Sequence, residues 1–246
     1  MGTDKICQLL SWDSDFFGFK IARLIPSRIS EAIMQEALWW CQREGIECLY
    51  FLADSDHFEN VRLAEKNRFC LVDIRLTLEC DLVNWDGKRT ESFPGISVRP
   101  SQQGDLPNLR AIARVLYRDS RFYVDSRFPR MKVEDLYVTW IDRSCHGYAD
   151  KVLVLEKDKE AMGYVTCHVP EASVGRIGLV GLHPALKGAG IGQYLVSSAL
   201  QQFKDGGMDH IEVVTQGRNR RALRMYQSCG FVTLEVQLWY HKWFST

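Results

Sequence analysis

The 246-residue chain lacks a surplus of either charge: Lys plus Arg and Asp plus Glu are 31 each. A general nucleic-acid binder carries a basic excess, so that class is not indicated. Long apolar runs are missing too. Stretches such as residues 37–41 fall far short of the roughly 20 residues that a bilayer span needs. The opening MGTDKICQLL has no basic segment leading into an apolar one. It also lacks the Ser or Thr at position 6 that myristoylation requires. A cytoplasmic protein with neither membrane nor nucleic-acid partners is expected. Eight cysteines are present without one CxxC pair, and they lie in apolar runs. Buried free thiols fit that pattern better than a disulfide framework. The six histidines show no HxxxH and no ligand spacing with Cys or carboxylate, so no metal is expected.

What is present is globular: 46% hydrophobic and 25% charged residues. The length suits one large domain or two small ones. Periodicity predicts strands over 6–10 and 20–25 around a turn-rich 11–15, then a helix over 30–44 stopped by Gly45. A strand over 48–53, a helix over 58–67 and a strand over 69–82 follow. That last strand alternates through Val72, Ile74, Leu76 and Leu78. The polar, turn-rich 84–95 reads as a linker between a smaller α/β domain (1–83) and a second domain (96–246). In the second, a strand over 96–99 precedes a helix over 106–116, an Arg- and aromatic-rich loop over 118–123 and a helix over 133–141. Three antiparallel strands and two βα units complete it, so the fold class is α+β with a mixed, mainly antiparallel sheet and flanking helices.

The chemistry concentrates in Leu182-His183-Pro184-Ala185-Leu186-Lys187-Gly188-Ala189-Gly190-Ile191-Gly192, which leaves a strand and opens a helix. Glycines there let backbone N–H groups approach a ligand, and the helix N-terminus adds a positive dipole end. Such a unit is built to cradle a pyrophosphate. A Walker A loop needs GK[ST], which is absent. A Rossmann fingerprint needs GxGxxG and an acidic end to the next strand, whereas here GxGxG precedes Val214-Thr215-Gln216. A tight turn with no ligand remains the plain alternative.

The next segment bears on that choice. Asn219, Ala222, Tyr226, Gly230 and Phe231 fit N-x-x-A-x-x-x-Y-x-x-x-G-F, and Lys187 to Gly192 fit Q/R-x-x-G-x-G/A with Lys in the first place. With these two motifs the chain resembles the GNAT family of acyl-CoA-dependent N-acetyltransferases from about residue 96 onward. The resemblance implies a GNAT acyltransferase fold behind a partial-GNAT-like domain, and acetyl-CoA as co-substrate. It assigns the cofactor to Leu182, His183, Lys187, Gly188, Ala189, Gly190, Ile191, Gly192 and Asn219. Lys at 187 keeps the charge but loses the forked donors of Arg.

Tyr226 is the catalytic candidate, as the acid that protonates the leaving thiolate. It lies seven residues from Asn219, on the same helix face. The acetyl oxygen is expected against backbone N–H groups near Gly181, Leu182 and His183, as the family implies. No base is evident; His168 and His183 are candidates, or structural residues. Arg121, Tyr123, Asp125 and Arg127 form the expected acceptor loop, with Arg suited to a diphosphate and aromatics to a base. Arg218, Arg220, Arg221 and Arg224 are read mainly as a solvated face. Residues 10–18, 120–125 and 136–141 are similar to segments of the TDP-fucosamine acetyltransferases. That resemblance implies a small-molecule nucleotide-sugar acceptor, acetylated at a 4-amino group in polysaccharide biosynthesis. Acetylation of a protein N-terminus, lysine or small amine, or a GNAT module that only binds, are the alternatives. A homodimer is left open. Finally, a shift of 162 lays residues 51–78 over the 213–239 region, with Asn219 on His57 and Tyr226 on Ala64. Either a half-copy without its glycine loop or chance likeness explains this.

Overall fold

A computed structural model describes residues 6–87, 93–188 and 190–244. Ala189, the first five residues and part of the expected linker (88–92) lie outside them. The first half runs β1 (Cys7–Leu9), α1 (Ser11–Phe17), β2 (Ile21–Leu24), α2 (Glu31–Glu44), β3 (Cys48–Asp54), α3 (Phe58–Lys66) and β4 (Cys70–Asp81). The second runs β5 (Ile96–Pro100), α4 (Leu106–Val115), α5 (Arg121–Val124), α6 (Arg130–Arg143), β6 (Lys151–Lys157), β7 (Glu160–Glu171) and β8 (Val174–Leu182). It ends with α7 (Ile191–Asp205), β9 (His210–Gln216), α8 (Arg220–Ser228) and β10 (Val232–Trp243). Among the described residues no helix is long and apolar enough to cross a membrane.

All ten strands join one mixed sheet in the order β1-β2-β3-β10-β4-β9-β8-β7-β6-β5. The C-terminal strand β10 sits between β3 and β4, and β4 sits between β10 and β9. After β4 the chain crosses to the opposite sheet edge to begin β5. Gly45 ends α2 in the left-handed region (φ 65°), as its place after the periodic run requires.

Residues 11–15, read as turn-rich, instead open α1. The Ser14 hydroxyl donates to Leu10 O (2.8 Å) within this helix. Spacing of three to four residues stacks Trp12 on Phe16 (5.1 Å). Phe17 is buried edge-on against Phe128 (4.7 Å), a burial that stabilises by about 1.5–3 kcal/mol per large side chain. The expected loop after α4 likewise contains the short α5. In β4 the expected alternation fails: Val72 and Asp73 are both buried and Ile74 is exposed. The cause is an irregular register, Trp239 opposite Asp73 but Tyr240 opposite Leu71, which shifts the phase of the strand.

The shift of 162 residues reappears as geometry. Adding 162 to the bounds of β3, α3 and β4 gives those of β9, α8 and β10. The pairings obey the same operation: Asp54 with Gln237 answers Gln216 with Arg75, and Val232 with Glu79 answers Cys70 with His241. A local two-fold axis therefore passes through the Arg75–Gln237 pair, whose side chains are hydrogen-bonded.

Candidate active site

Strands β8 and β9 run parallel from Val174 opposite His210 to Ile177 opposite Val213, then part. Beyond that point β8 pairs with β7 and β9 with β4. Just there β8 carries an extra residue: Val165 faces Val180, yet Cys167 faces Ile177. The Leu179 N–H donates to Thr166 Oγ1 (2.8 Å), and the Tyr117 hydroxyl donates to Val180 O (3.1 Å). The parting opens a cleft of about 880 Å³ whose wall includes Gly178, Leu179, Val214 and Thr215.

The glycine loop lies at one end of this cleft. Gly188 (φ 99°) and Gly190 (φ 78°) occupy the left-handed region, where a side chain would be strained. A Cβ on Gly192 would come within 2.9 Å of Met225 Sδ, so glycine also lets α7 approach α8. Gly190 is the N-cap of α7 and offers no side-chain cap. The N–H groups of Gly190, Ile191 and Gly192 donate to no other described residue. Lys187, Gly188, Gly190 and Gly192 face the cleft, whereas Ile191 is buried and its side chain packs into the core. Leu182 reaches the cleft wall.

His183 does not. Its N–H donates to Met162 O (2.8 Å), and its Nδ1 accepts from Ala185 N–H (3.2 Å). Gly181 faces the Tyr164 ring, where a Cβ would meet Cζ at 2.5 Å. The strand edge released toward the cleft is therefore nearer Gly178–Val180 than the Gly181–His183 stretch expected for the acetyl oxygen. His168 opens into a second cavity of about 670 Å³ behind the bulge, together with Trp12, Trp140 and Tyr148. The two cavities share Trp140, Gly178 and Leu179. Burial holds the His168 imidazole below its ordinary pKa.

Asn219 caps α8 by accepting from Ala222 N–H (3.1 Å) and lines the cleft as well. Tyr226 follows two turns later, buried yet part of the cleft wall. Its ring meets Phe231 at 5.6 Å and 64°. Burial raises the phenol above the ordinary tyrosine range, so it is protonated at neutral pH.

Of the expected acceptor loop only Arg121 enters the cleft. Its guanidinium lies 4.2 Å from the ring centres of both Trp239 and Phe122, and its buried Nε has no partner. Tyr123 is turned to Arg130 (4.5 Å), and Arg127 to Trp243 (5.6 Å). Asp125 accepts from His241 Nδ1 and Trp243 Nε1, each at 2.8 Å, which fastens the loop to β10. These bonds hold its carboxyl below the usual range despite burial.

The sequence reading missed the first half's contribution. Asp73 and Arg75 of β4 and Trp239 of β10 line the same cleft. The signal available was an acidic residue inside an apolar strand run. Arg218, Arg220, Arg221 and Arg224 also border the cleft, which leaves seven cationic side chains, counting Lys187, Arg75 and Arg121, against Asp73 and Asp119. Such a wall favours polyanions. Among the described residues no group of His, Cys, Asp or Glu could hold a metal ion.

Comparisons with known proteins define the class. Residues 112–231 match the Acetyltransferase (GNAT) family. Proteins of that family use acetyl-CoA as co-substrate. The chain is 29% identical to the dTDP-fucosamine acetyltransferase of Escherichia coli O6:H1 (strain CFT073) over 144 residues, 58% of this chain and 61% of that one. It is 23% identical to the spore coat polysaccharide biosynthesis protein SpsD of Bacillus subtilis (strain 168) over 150 residues, 61% and 52% of the two chains. It is 31% identical to the mycothiol acetyltransferase of Beutenbergia cavernae over 114 residues, 45% and 37% of the two. The matched stretches thus span between about a third and two thirds of these relatives. A GCN5-related N-acetyltransferase from Sphaerobacter thermophilus has the same fold: TM-score 0.69, 16% identity, covering 96% of this chain and 76% of that one.

Proposed function

We propose that the protein transfers an acetyl group from acetyl-CoA to the amine of an anionic small molecule, foremost the 4-amino group of a TDP-linked 4-amino-4,6-dideoxy sugar. The carrying observation is that the glycine loop, Tyr226 and Arg121 all open onto one cleft where β8 and β9 part. In this reading the unpaired N–H groups of Gly190, Ile191 and Gly192 hold the coenzyme pyrophosphate, with Lys187 and the arginines of α8 adding charge. The thioester lies along the released edge of β8. The acceptor nitrogen attacks the carbonyl carbon, the C–S bond breaks, and the Tyr226 phenol gives its proton to the thiolate. Arg121, desolvated between two aromatic rings, suits a phosphate of the acceptor. The first half supplies one wall of the site as a half-copy of the second.

A sugar acceptor is supported by the polysaccharide and dTDP-sugar names among the relatives. A mycothiol-type acceptor is the second reading, favoured by a mycothiol acetyltransferase of Amycolatopsis mediterranei that is 27% identical over 94% of this chain. An acceptor screen by thiol release separates them: TDP-4-amino sugars are expected to turn over, and free amines, peptides and the mycothiol-type acceptor are not. Turnover of the last alone would replace the first reading with the second. No turnover of any amine would refute acetyl transfer to nitrogen.

A further inference from the structure

We infer that Asp73, contributed by the first half of the chain, grips the acceptor ammonium and takes its proton. The inference rests on the amine-acetylation reading above and adds to it a base from the first half. Asp73 is 3% exposed, yet it faces the cleft. Its Oδ1 accepts from the Ile74 N–H (2.9 Å) and stands 3.7 Å from Arg218 Nε, beyond hydrogen-bond reach. Its Oδ2 accepts no hydrogen bond from any described residue. Asp73 lines the cleft, so this oxygen, with no protein donor on it, is left to a cationic donor from the cleft's occupant.

Anchoring Arg218 does not account for this carboxylate, because the Arg218 guanidinium is already bonded through Nη2 to Val72 O (2.6 Å). The two-fold axis sharpens the point. The counterpart of Asp73 is Glu235, which is half exposed and lies 3.8 Å from Arg75. At equivalent places in one architecture, the carboxylate is solvated on one side and sunk into the wall where the cleft is. The groups facing Asp73 are Arg218 after β9, Arg121 of α5, Asp119 before it and Tyr137 of α6, with Trp239 across the strand pair and Arg75 on its own strand. Burial outweighs the arginines and lifts the carboxyl to about 6. It is therefore ionised at neutral pH and weakly basic, as a proton acceptor must be.

The protons balance. Asp73 takes one from the ammonium, and the freed lone pair forms the C–N bond. The C–S bond breaks, and sulfur takes the Tyr226 proton. The second nitrogen proton returns to the phenolate through solvent, and the Asp73 proton leaves to bulk. One proton is released per turnover.

The test compares wild type, Asp73→Asn and Asp73→Glu on acetyl-CoA and the best amine of the screen. For Asp73→Asn, kcat/KM for the acceptor should fall roughly 10²–10³-fold. Acetyl-CoA affinity should stay within about twofold, and the acidic limb inflecting near 6 in the wild type should vanish. Asp73→Glu should restore part of the rate and a limb. A purely structural carboxylate would lower rate or affinity and leave the limb in place, which would overturn the inference. An independent measurement needs no variant. Binding of the amine to wild-type protein should tighten as pH rises through 6, and binding of the hydroxyl analogue should not. Equal profiles would refute the contact. A wild type that acetylates no amine would refute the underlying reading instead.

Discussion

Replacing Tyr226 by Phe removes a single oxygen and tests the acid directly. The hydroxyl bonds to no described residue, and the edge-to-face contact of the ring with Phe231 survives the change. Folding stability should therefore move by less than about 1 kcal/mol. The chemical step should suffer far more. A positioned general acid contributes about 10²–10⁴-fold, which is roughly 2.7–5.5 kcal/mol of barrier at 1.36 kcal/mol per decade. The leaving thiolate would then depend on solvent for its proton. Because the folded phenol titrates above its ordinary value, the wild-type rate should show no loss attributable to Tyr226 between pH 6 and 9. The assay is thiol release at saturating acceptor, with acetyl-CoA affinity followed by calorimetry. The expected result is a fall in kcat with unchanged coenzyme affinity. Wild-type turnover by Tyr226→Phe would exclude it as the acid, and a loss confined to acetyl-CoA binding would make it a packing residue of the coenzyme pocket.

Gly190→Glu puts a negative side chain on a residue at φ 78°, beside the unpaired N–H groups of α7, so calorimetry should detect no acetyl-CoA binding. Binding of wild-type strength would separate the loop from the coenzyme. Arg121→Ala removes the cation that its loop places in the cleft wall. At about 1.5–3 kcal/mol per charge-assisted contact, the acceptor KM should rise roughly 10–100-fold while the acetyl-CoA constant holds. The reverse pattern would assign Arg121 to the coenzyme. His241, fully buried, is held at about 4 by desolvation, which outweighs its bond to Asp125. The unfolded chain protonates first, near 6.5, so stability is complete above that pH and falls as pH drops toward 4, by about 2 kcal/mol at pH 5. Urea midpoints should show this loss in the wild type and a flatter profile in His241→Gln; parallel profiles would refute it.

The glycine loop and the α8 motif were legible because they depend on local backbone requirements. Glycine at positive φ and an asparagine N-cap are written in adjacent residues. The acceptor side was not. Asp125 has the composition of a binding residue, but its partners His241 and Trp243 lie more than 110 positions away, and only the sheet order brings them together. Asp73 was hidden for a related reason. An alternation with Val72, Ile74, Leu76 and Leu78 inward leaves Asp73 on the other face of the strand, and the register, unbroken from Arg75 to Asp73, sets that face in the cleft wall. That this face meets a cleft and not solvent depends on Arg121, Tyr137 and Trp239, which the strand's own pattern does not record. His183 shows the converse: placed beside the loop in sequence, it spends its N–H and its ring on the turn itself.

The two-fold axis explains why one half opens a cleft and the other does not. In the first half, parallel β2 and β3 pair from Ile21 with Cys48 to Leu24 with Phe51, the counterpart of β8 with β9. There the gap beyond the pairing is closed. The Asp54 N–H donates to Ser27 O (3.0 Å). Fully buried Asn60 donates to Ser27 O and Asp54 O and accepts from the Ile29 N–H, so one amide bridges both strand ends and the entry to α2. The α2 N-terminus has the Ser30 side chain as its cap, where α7 has only Gly190. Among the described residues of the second half no such plug fills the corresponding space, and the N–H groups of Gly190, Ile191 and Gly192 have no partner. The closed copy retains a use through β4, which lies between β9 and β10 and carries Asp73 and Arg75 into the cleft. A strand that merely completed the sheet would have no reason to bury a carboxylate with a free oxygen on that face. Its presence ties the first half to the chemistry of the second.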